Sequence, residues 1–339
     1  MKLTTEQIAS VTLGAERVTN EKGGTGFHRF TAEQEEIYRL YRDDFYQKTF
    51  CSSGVKLSFK TDSRTLGLNA DVYKHSTRSY VSFDVFVNGK CIGNIDNFSH
   101  VEIPAEYATL TFEGGNFEKT FELGEGEKAV EIYLPWSCLT VINELALEDG
   151  ASLVPVRPAK RMITFGDSIT QGYDALRPSN RYAAQLANFL SAEERCKGIG
   201  GEGFFPELAR SKDDGYDPDY ISVAYGTNDW SHAVSREELT ARCLEFYTAL
   251  RETYPRAKIF AFSPIWRKDE GKYSAFGTFD EMQKLIAEIA ESLPEVYFIE
   301  GYNAVPHDES YFADLYLHPN DRGFECYAEK VCAQIKKYV

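Results

Sequence analysis

Four short stretches in the second half of the chain carry residue types suited to acyl chemistry. Gly166-Asp167-Ser168-Ile169-Thr170 follows the apolar run Met162 to Phe165. A serine there stands at a strand's carboxyl end, with its amide at the start of a helix, so a nucleophile and an anion-stabilising N–H come together. An ordinary Asp/Ser helix cap accounts for the same letters. Gly198-Ile199-Gly200-Gly201-Glu202-Gly203 lets the backbone approach a ligand and turn an N–H toward it. A flexible turn would look the same, and a dinucleotide fingerprint would need an acidic ribose partner that does not follow. Gly226-Thr227-Asn228-Asp229 offers a side-chain amide to a developing oxyanion, or caps a βα loop. His318-Pro319-Asn320, with Asp314 upstream, offers a general base and a carboxylate to orient it. Each stretch is weak alone. Together they supply a nucleophile, a base, an acid and an oxyanion hole.

The elements around them must bring these stretches together. At 339 residues the chain is long enough for two domains, each with its own core. From about Val55 to Leu147 the apolar residues alternate, as in Leu66, Leu68, Ala70 and Val72. Asn88-Gly89 marks a tight hairpin there, and Thr31 with Gln34 reads as a capping box for a preceding helix. Many short strands between turn signals predict a β-sandwich of jelly-roll type. Pro155 and Pro158 then interrupt the pattern. Beyond them, strand candidates at Met162–Phe165, Tyr220–Tyr225, Ile259–Phe262 and Val296–Ile299 alternate with amphipathic helices. One of these helices carries Met282, Leu285, Ile286, Ile289 and Leu293 on a single face. This alternation predicts an α/β fold, a doubly wound and mostly parallel sheet, with ligands beyond the carboxyl ends of its strands. The expected division is a sandwich over 1–155 and a catalytic domain over 156–339.

With its four blocks in order over about residues 160–339, the sequence resembles the SGNH (GDSL-like) hydrolase family. The resemblance implies a flavodoxin-like catalytic domain. By position, Ser168 matches the nucleophile, Gly201 the glycine whose amide joins the oxyanion hole, Asn228 the side-chain donor, and His318 the base. The Ser168 amide completes the hole. Two departures stand out. The family's acid usually lies three residues before the histidine, where this chain has Leu315, and Asp314 lies four before. Either Asp314 completes a triad or a Ser-His dyad operates. Cys196 also replaces an asparagine common ahead of the glycine block. The two-domain layout further resembles carbohydrate esterases, which implies a serine esterase removing acyl groups, acetyl foremost, from a carbohydrate. A non-catalytic glycan-binding protein, a lipase or thioesterase, and an acyltransferase using the same site are the alternatives. An imidazole base with the ordinary value near 6.5 predicts loss of activity below about pH 6.5.

Composition narrows the remaining choices. The net charge is −15 with no basic run, so neither nucleic acid nor an anionic membrane surface is an expected partner. No stretch approaches the roughly 18 apolar residues of a membrane span. The start at Met1 lacks a secretory h-region, which predicts a cytoplasmic protein, or a secreted one whose leader has been removed. Seven scattered cysteines, with neither C-x-x-C nor H-E-x-x-H, predict reduced thiols and no metal site. No cofactor is required. The expected partner is a small-molecule or oligosaccharide ester, and a homo-oligomer is left open. Trp230 and Trp266 follow strand ends and are candidate sugar-stacking residues, with core packing or a lid anchor the equal alternatives. His307-Asp308 is a weaker second acid–base pair, His232 a pocket or surface residue, and Arg267 to Thr278 a loop shaping the pocket.

Overall fold

The computed structural model describes residues 1–339. The first part of the chain runs α1 (Thr5–Val11), β1 (Thr12–Leu13), β2 (Arg17–Glu21), β3 (Gly24–His28), α2 (Ala32–Tyr41), α3 (Asp43–Thr49), β4 (Lys56–Thr61) and β5 (Thr65–Lys74). It continues through β6 (Ser82–Val87), β7 (Lys90–Asp96), β8 (Gly115–Glu122), β9 (Lys128–Tyr133), β10 (Cys138–Leu147) and β11 (Val154–Pro155). Its strands form two antiparallel sheets, one ordered β1-β4-β9-β6-β7 with β11 beside β4, the other β2-β3-β10-β5-β8. Alternation in β5 buries Leu66, Leu68, Ala70 and Val72 in turn. They pack with Phe59, Phe83, Val130 and Ile132 of the opposite sheet, which makes the pair a β-sandwich. Asn88 and Gly89, with φ of 49° and 78°, form the tight β6–β7 turn. The Thr31/Gln34 capping box is present at α2.

The second part runs β12 (Lys160–Gly166), α4 (Ser168–Gln171), α5 (Tyr182–Phe189), β13 (Ala192–Cys196), α6 (Pro206–Arg210) and β14 (Tyr220–Ala224). It ends with α7 (Thr227–His232), α8 (Arg236–Thr253), β15 (Lys258–Phe262), α9 (Phe279–Ser292), β16 (Val296–Ile299) and α10 (Asp321–Ile335). Its five strands are all parallel and ordered β13-β12-β14-β15-β16. This is the flavodoxin-like order, with its switch point between β12 and β14. Helix α9 buries Met282, Leu285, Ile286 and Ile289, as its spacing predicts. No helix is long and apolar enough to cross a membrane.

Two features depart from the expected layout. β13 carries Glu193, Glu194 and Arg195, so no apolar run signals it. It is the edge strand of the sheet and is buried only at alternate positions. Helices α2 and α3, early in the chain, pack on the parallel sheet's side: Phe30, Tyr38 and Phe45 join one core with Ile163, Phe205 and Trp230.

Candidate active site

Ser168 begins α4, directly beyond β12. Gly166 allows this sharp strand-to-helix turn, because a Cβ there would lie 2.0 Å from the Thr170 hydroxyl and 2.9 Å from the Ala224 carbonyl oxygen. The Asp167 carboxylate accepts the Ile169 N–H at 2.9 Å and so caps the helix. Asp167 is buried, which pushes its carboxyl up to about 7 against the opposing pull of that N–H. Ser168 Oγ lies 2.8 Å from His318 Nε2, and His318 Nδ1 lies 2.7 Å from Asp314 Oδ2. The three groups that the sequence singles out therefore form one continuous hydrogen-bonded line.

The four-residue spacing from Asp314 to His318 is absorbed by the backbone. Leu315 adopts φ of 54°, which a branched residue seldom does. The turn folds the Asp314 carboxylate back over its own loop. There its Oδ1 accepts the N–H groups of Tyr316, Leu317 and His318 at 2.9, 2.7 and 3.0 Å. Burial would raise this carboxyl. The hydrogen bond and charge of His318 and these N–H groups outweigh it, so Asp314 stays below the ordinary carboxylate range.

Gly201 and Asn228 line one cleft of about 340 Å³, with Tyr41, Phe45, His232 and Arg242. Gly201 has φ of 92°, and a Cβ there would meet only Phe45. The requirement at this position is therefore conformational rather than steric. Asn228 Nδ2 donates to the Glu202 carbonyl at 2.9 Å, which ties the amide to the glycine loop and leaves its second N–H for a ligand. Buried Asp229 joins the two loops, accepting Phe204 N–H at 2.8 Å and Gly226 N–H at 3.0 Å.

Residues that sequence reasoning missed hold this loop from below, and several come from early in the chain. Fully buried Arg29 donates to the carbonyls of Cys196 and Gly198 at 2.7 and 3.2 Å, and to those of Cys51 and Lys48. Lys48 Nζ donates to the Gly200 carbonyl at 2.7 Å. Gln171 Oε1 accepts the Gly200 N–H at 2.8 Å. Arg267, at the start of the expected pocket loop, binds the Thr227 carbonyl and hydroxyl at 3.0 and 2.9 Å and the Tyr316 hydroxyl at 3.2 Å. It thereby links α7 to the His318 loop. No local pattern marks these residues, because each serves backbone groups remote in sequence. The one available signal is the expense of burying a cation, which requires partners.

Glu202 is also buried, and that pushes its carboxyl up to about 8, although the Tyr225 hydroxyl donates to it at 2.5 Å and favours the ion. Between the unfolded value near 4.5 and about 8, the folded chain holds a proton that the unfolded chain releases. Stability is therefore lost as pH rises through that window. Glu202→Gln removes this dependence. Its melting temperature should pull ahead of the native protein's by at least about 3 °C between pH 5 and pH 8. Parallel melting curves across that range would refute the assignment.

Some candidates are not brought to the site. Trp230 is fully buried, with its indole N–H on the Gly277 carbonyl at 2.8 Å and its ring edge-on to Phe279. It is a core residue, and no sugar can stack on it. Trp266 is half-buried and stacks on His307 at 5.4 Å. His307 itself faces the Tyr302 carbonyl at 3.0 Å, and Trp266 also packs on Phe312 at 5.3 Å. His232 lines the cleft, with Nδ1 2.9 Å from the Asn228 carbonyl oxygen. Asp174, Asp314 and His318 place one donor atom each within 4.8 Å of one another. Those donors are engaged: Arg78 grips Asp174 at 2.6 and 3.1 Å, and His318 faces Asp314.

A flavodoxin-like sheet with a serine at its first strand end and a histidine beside the last helix defines an SGNH-type hydrolase domain, here preceded by a β-sandwich. Residues 164–326 match the GDSL-like Lipase/Acylhydrolase family. No curated protein matches the chain. Among solved structures, the salicylyl-acyltransferase SsfX3 from a tetracycline biosynthetic pathway is similar with a TM-score of 0.78 at 22% identity, over 96% of this chain and 94% of that one. A candidate GDSL-like lipase from Bacteroides ovatus gives 0.74 at 22% identity, over 99% and 97%. A family two carbohydrate esterase from Clostridium thermocellum, solved with cellohexaose, gives 0.64 at 16% identity, over 96% and 98%.

Proposed function

We propose that this protein is a serine esterase that removes short acyl groups, acetyl foremost, from a carbohydrate. The observation that carries the proposal is the Ser168–His318–Asp314 line at 2.8 and 2.7 Å. Ser168 Oγ attacks the ester carbonyl while His318 Nε2 takes its proton, and Asp314 holds the imidazolium. The amides of Ser168 and Gly201 and the side chain of Asn228 receive the oxyanion. His318 then protonates the leaving alcohol and activates the water that releases the acid. The likeness to a carbohydrate esterase solved with an oligosaccharide supports the choice of alcohol. The test is a chain-length series of p-nitrophenyl esters beside acetylated oligosaccharides. Turnover that is fastest on acetyl esters is expected. Absence of turnover on every ester, together with no labelling of Ser168 by a fluorophosphonate, would support the glycan-binding alternative.

The similarity to an acyltransferase favours a second reading, in which an alcohol other than water accepts the acyl group from Ser168. Product analysis with competing acceptor alcohols separates the two: transferred ester beyond the solvolysis ratio indicates the transferase.

A further inference from the structure

A second carboxylate faces the histidine. Asp174 Oδ2 lies 3.7 Å from His318 Nδ1, and the Asp174 side chain has no solvent exposure. Its other partner comes from the sandwich part of the chain. Arg78, between β5 and β6, donates from Nε at 2.6 Å and from Nη2 at 3.1 Å, a two-point grip on both carboxylate oxygens. The backbone is held from the same side. Asp174 adopts φ of 70°. The Tyr107 hydroxyl donates to the Asp174 carbonyl at 2.7 Å, and Trp136 Nε1 donates to the Ala175 carbonyl at 2.8 Å. The Tyr80 hydroxyl in turn donates to the Tyr107 carbonyl. Arg78 also lies over the Tyr173 ring, which packs at 5.7 Å from the imidazole.

A helix cap or a loop anchor needs none of this. A fully buried carboxylate is costly unless its charge is used, and here the remaining face of that charge is turned toward Nδ1. We propose that Asp174, held by Arg78, is a second positioning residue for His318, so that the sandwich is built into the general base. It stabilises the imidazolium that forms when Ser168 is deprotonated. It also stands as a replacement acceptor for Nδ1–H if Asp314 is lost. This rests on the esterase reading for its catalytic meaning, although not for its electrostatics.

The groups facing His318 are Asp314 on its own loop and Asp167, Ser168, Tyr173 and Asp174 after β12; Arg78 from the sandwich part stands behind Asp174. Of the carboxylates, only Asp174 carries an arginine. Removing its charge should make His318 easier to deprotonate. NMR titration of the His318 imidazole in the whole chain therefore compares the native protein with Asp174→Asn, a residue that tolerates positive φ. The His318 midpoint is expected to fall by about half a pH unit or more in the variant. The acid limb of the kcat/KM profile should move with it. An identical midpoint in both proteins overturns the proposal. A uniform loss of activity at every pH, with the midpoint unmoved, assigns Asp174 a structural role and overturns it too.

If Asp174→Asn alone does not fold, Arg78→Met combined with Asp174→Asn removes both charges and leaves neither one buried alone. The same downward direction is expected, and an unmoved midpoint refutes. The titration needs no substrate, so a shifted midpoint in a protein that turns over no ester upholds this inference while the esterase reading fails. A second arm reads replacement. Losing an orienting acid costs on the order of 10⁴, but Asp314→Ala should lose only about 10²-fold while Asp174 remains. Adding Asp174→Asn should remove at least about another 10-fold. A double variant no slower than Asp314→Ala counts against the proposal.

Discussion

Replacing Ser168 by alanine should lower kcat on a short-chain ester by about 10⁶ and abolish labelling by a fluorophosphonate. The size follows from the geometry. Ser168 Oγ is held 2.8 Å from its base, so attack is intramolecular and its loss leaves only oxyanion binding of the substrate. His318→Ala should cost about as much. The double variant should cost no more than either single one, because nucleophile and base act as one unit. Melting temperature provides the control, since Ser168 makes no side-chain contact in the core that alanine would lose. Additive losses in the double variant would show that the two residues serve separate steps and would remove the acyl-enzyme mechanism.

Asn228→Ala should lower kcat by about 10²–10³ with KM little changed. Its side-chain amide would stabilise charge that exists only after the carbonyl has been attacked, so the ground state should scarcely feel the change. The amide is already oriented by the Glu202 carbonyl at 2.9 Å, and Asp229 holds the neighbouring turn against the glycine loop. Such pre-orientation makes an oxyanion donor effective, because nothing has to reorganise during the reaction. Substrates with poor leaving groups should show the larger defect. A variant whose KM rises while kcat stays constant would place Asn228 in substrate binding instead.

The site draws on both parts of the chain. Arg29 and Lys48 brace the carbonyls of the glycine loop, while Arg78, Tyr107 and Trp136 hold the loop after α4. The sandwich part is thus more than a cover. A protein cut before β12 would lose the supports of the glycine loop and of the loop after α4.

Much of this was legible along the chain. Period-two alternation foretold β5 and its sandwich partners, and helical spacing foretold the buried face of α9. The letters around Ser168 and His318 marked two groups that lie 2.8 Å apart, and those around Gly201 and Asn228 marked two that line one cleft. Local patterns carried this information because strand pleat, helix pitch and tight turns are decided by neighbours a few residues apart. Strand β13 escaped detection because an edge strand can hold charge on its open face, and Glu193 and Arg195 broke its apolar run. Trp230 could be read as a sugar platform or as a core residue, and its ring lies in the core against Phe279. Nothing local distinguishes an aromatic that faces a crevice from one that faces a helix.

The chain's order of letters was enough to single out Ser168 and His318, which lie 2.8 Å apart, and the type of sheet that carries them. It could not say whether Asp314, one place out of register, reaches the imidazole. That depended on Leu315 turning into the left-handed region. Nor could it couple Arg78 to Asp174, 96 positions later. Such pairings are decided when the two parts dock, because only burial removes the water that would otherwise satisfy each charge separately.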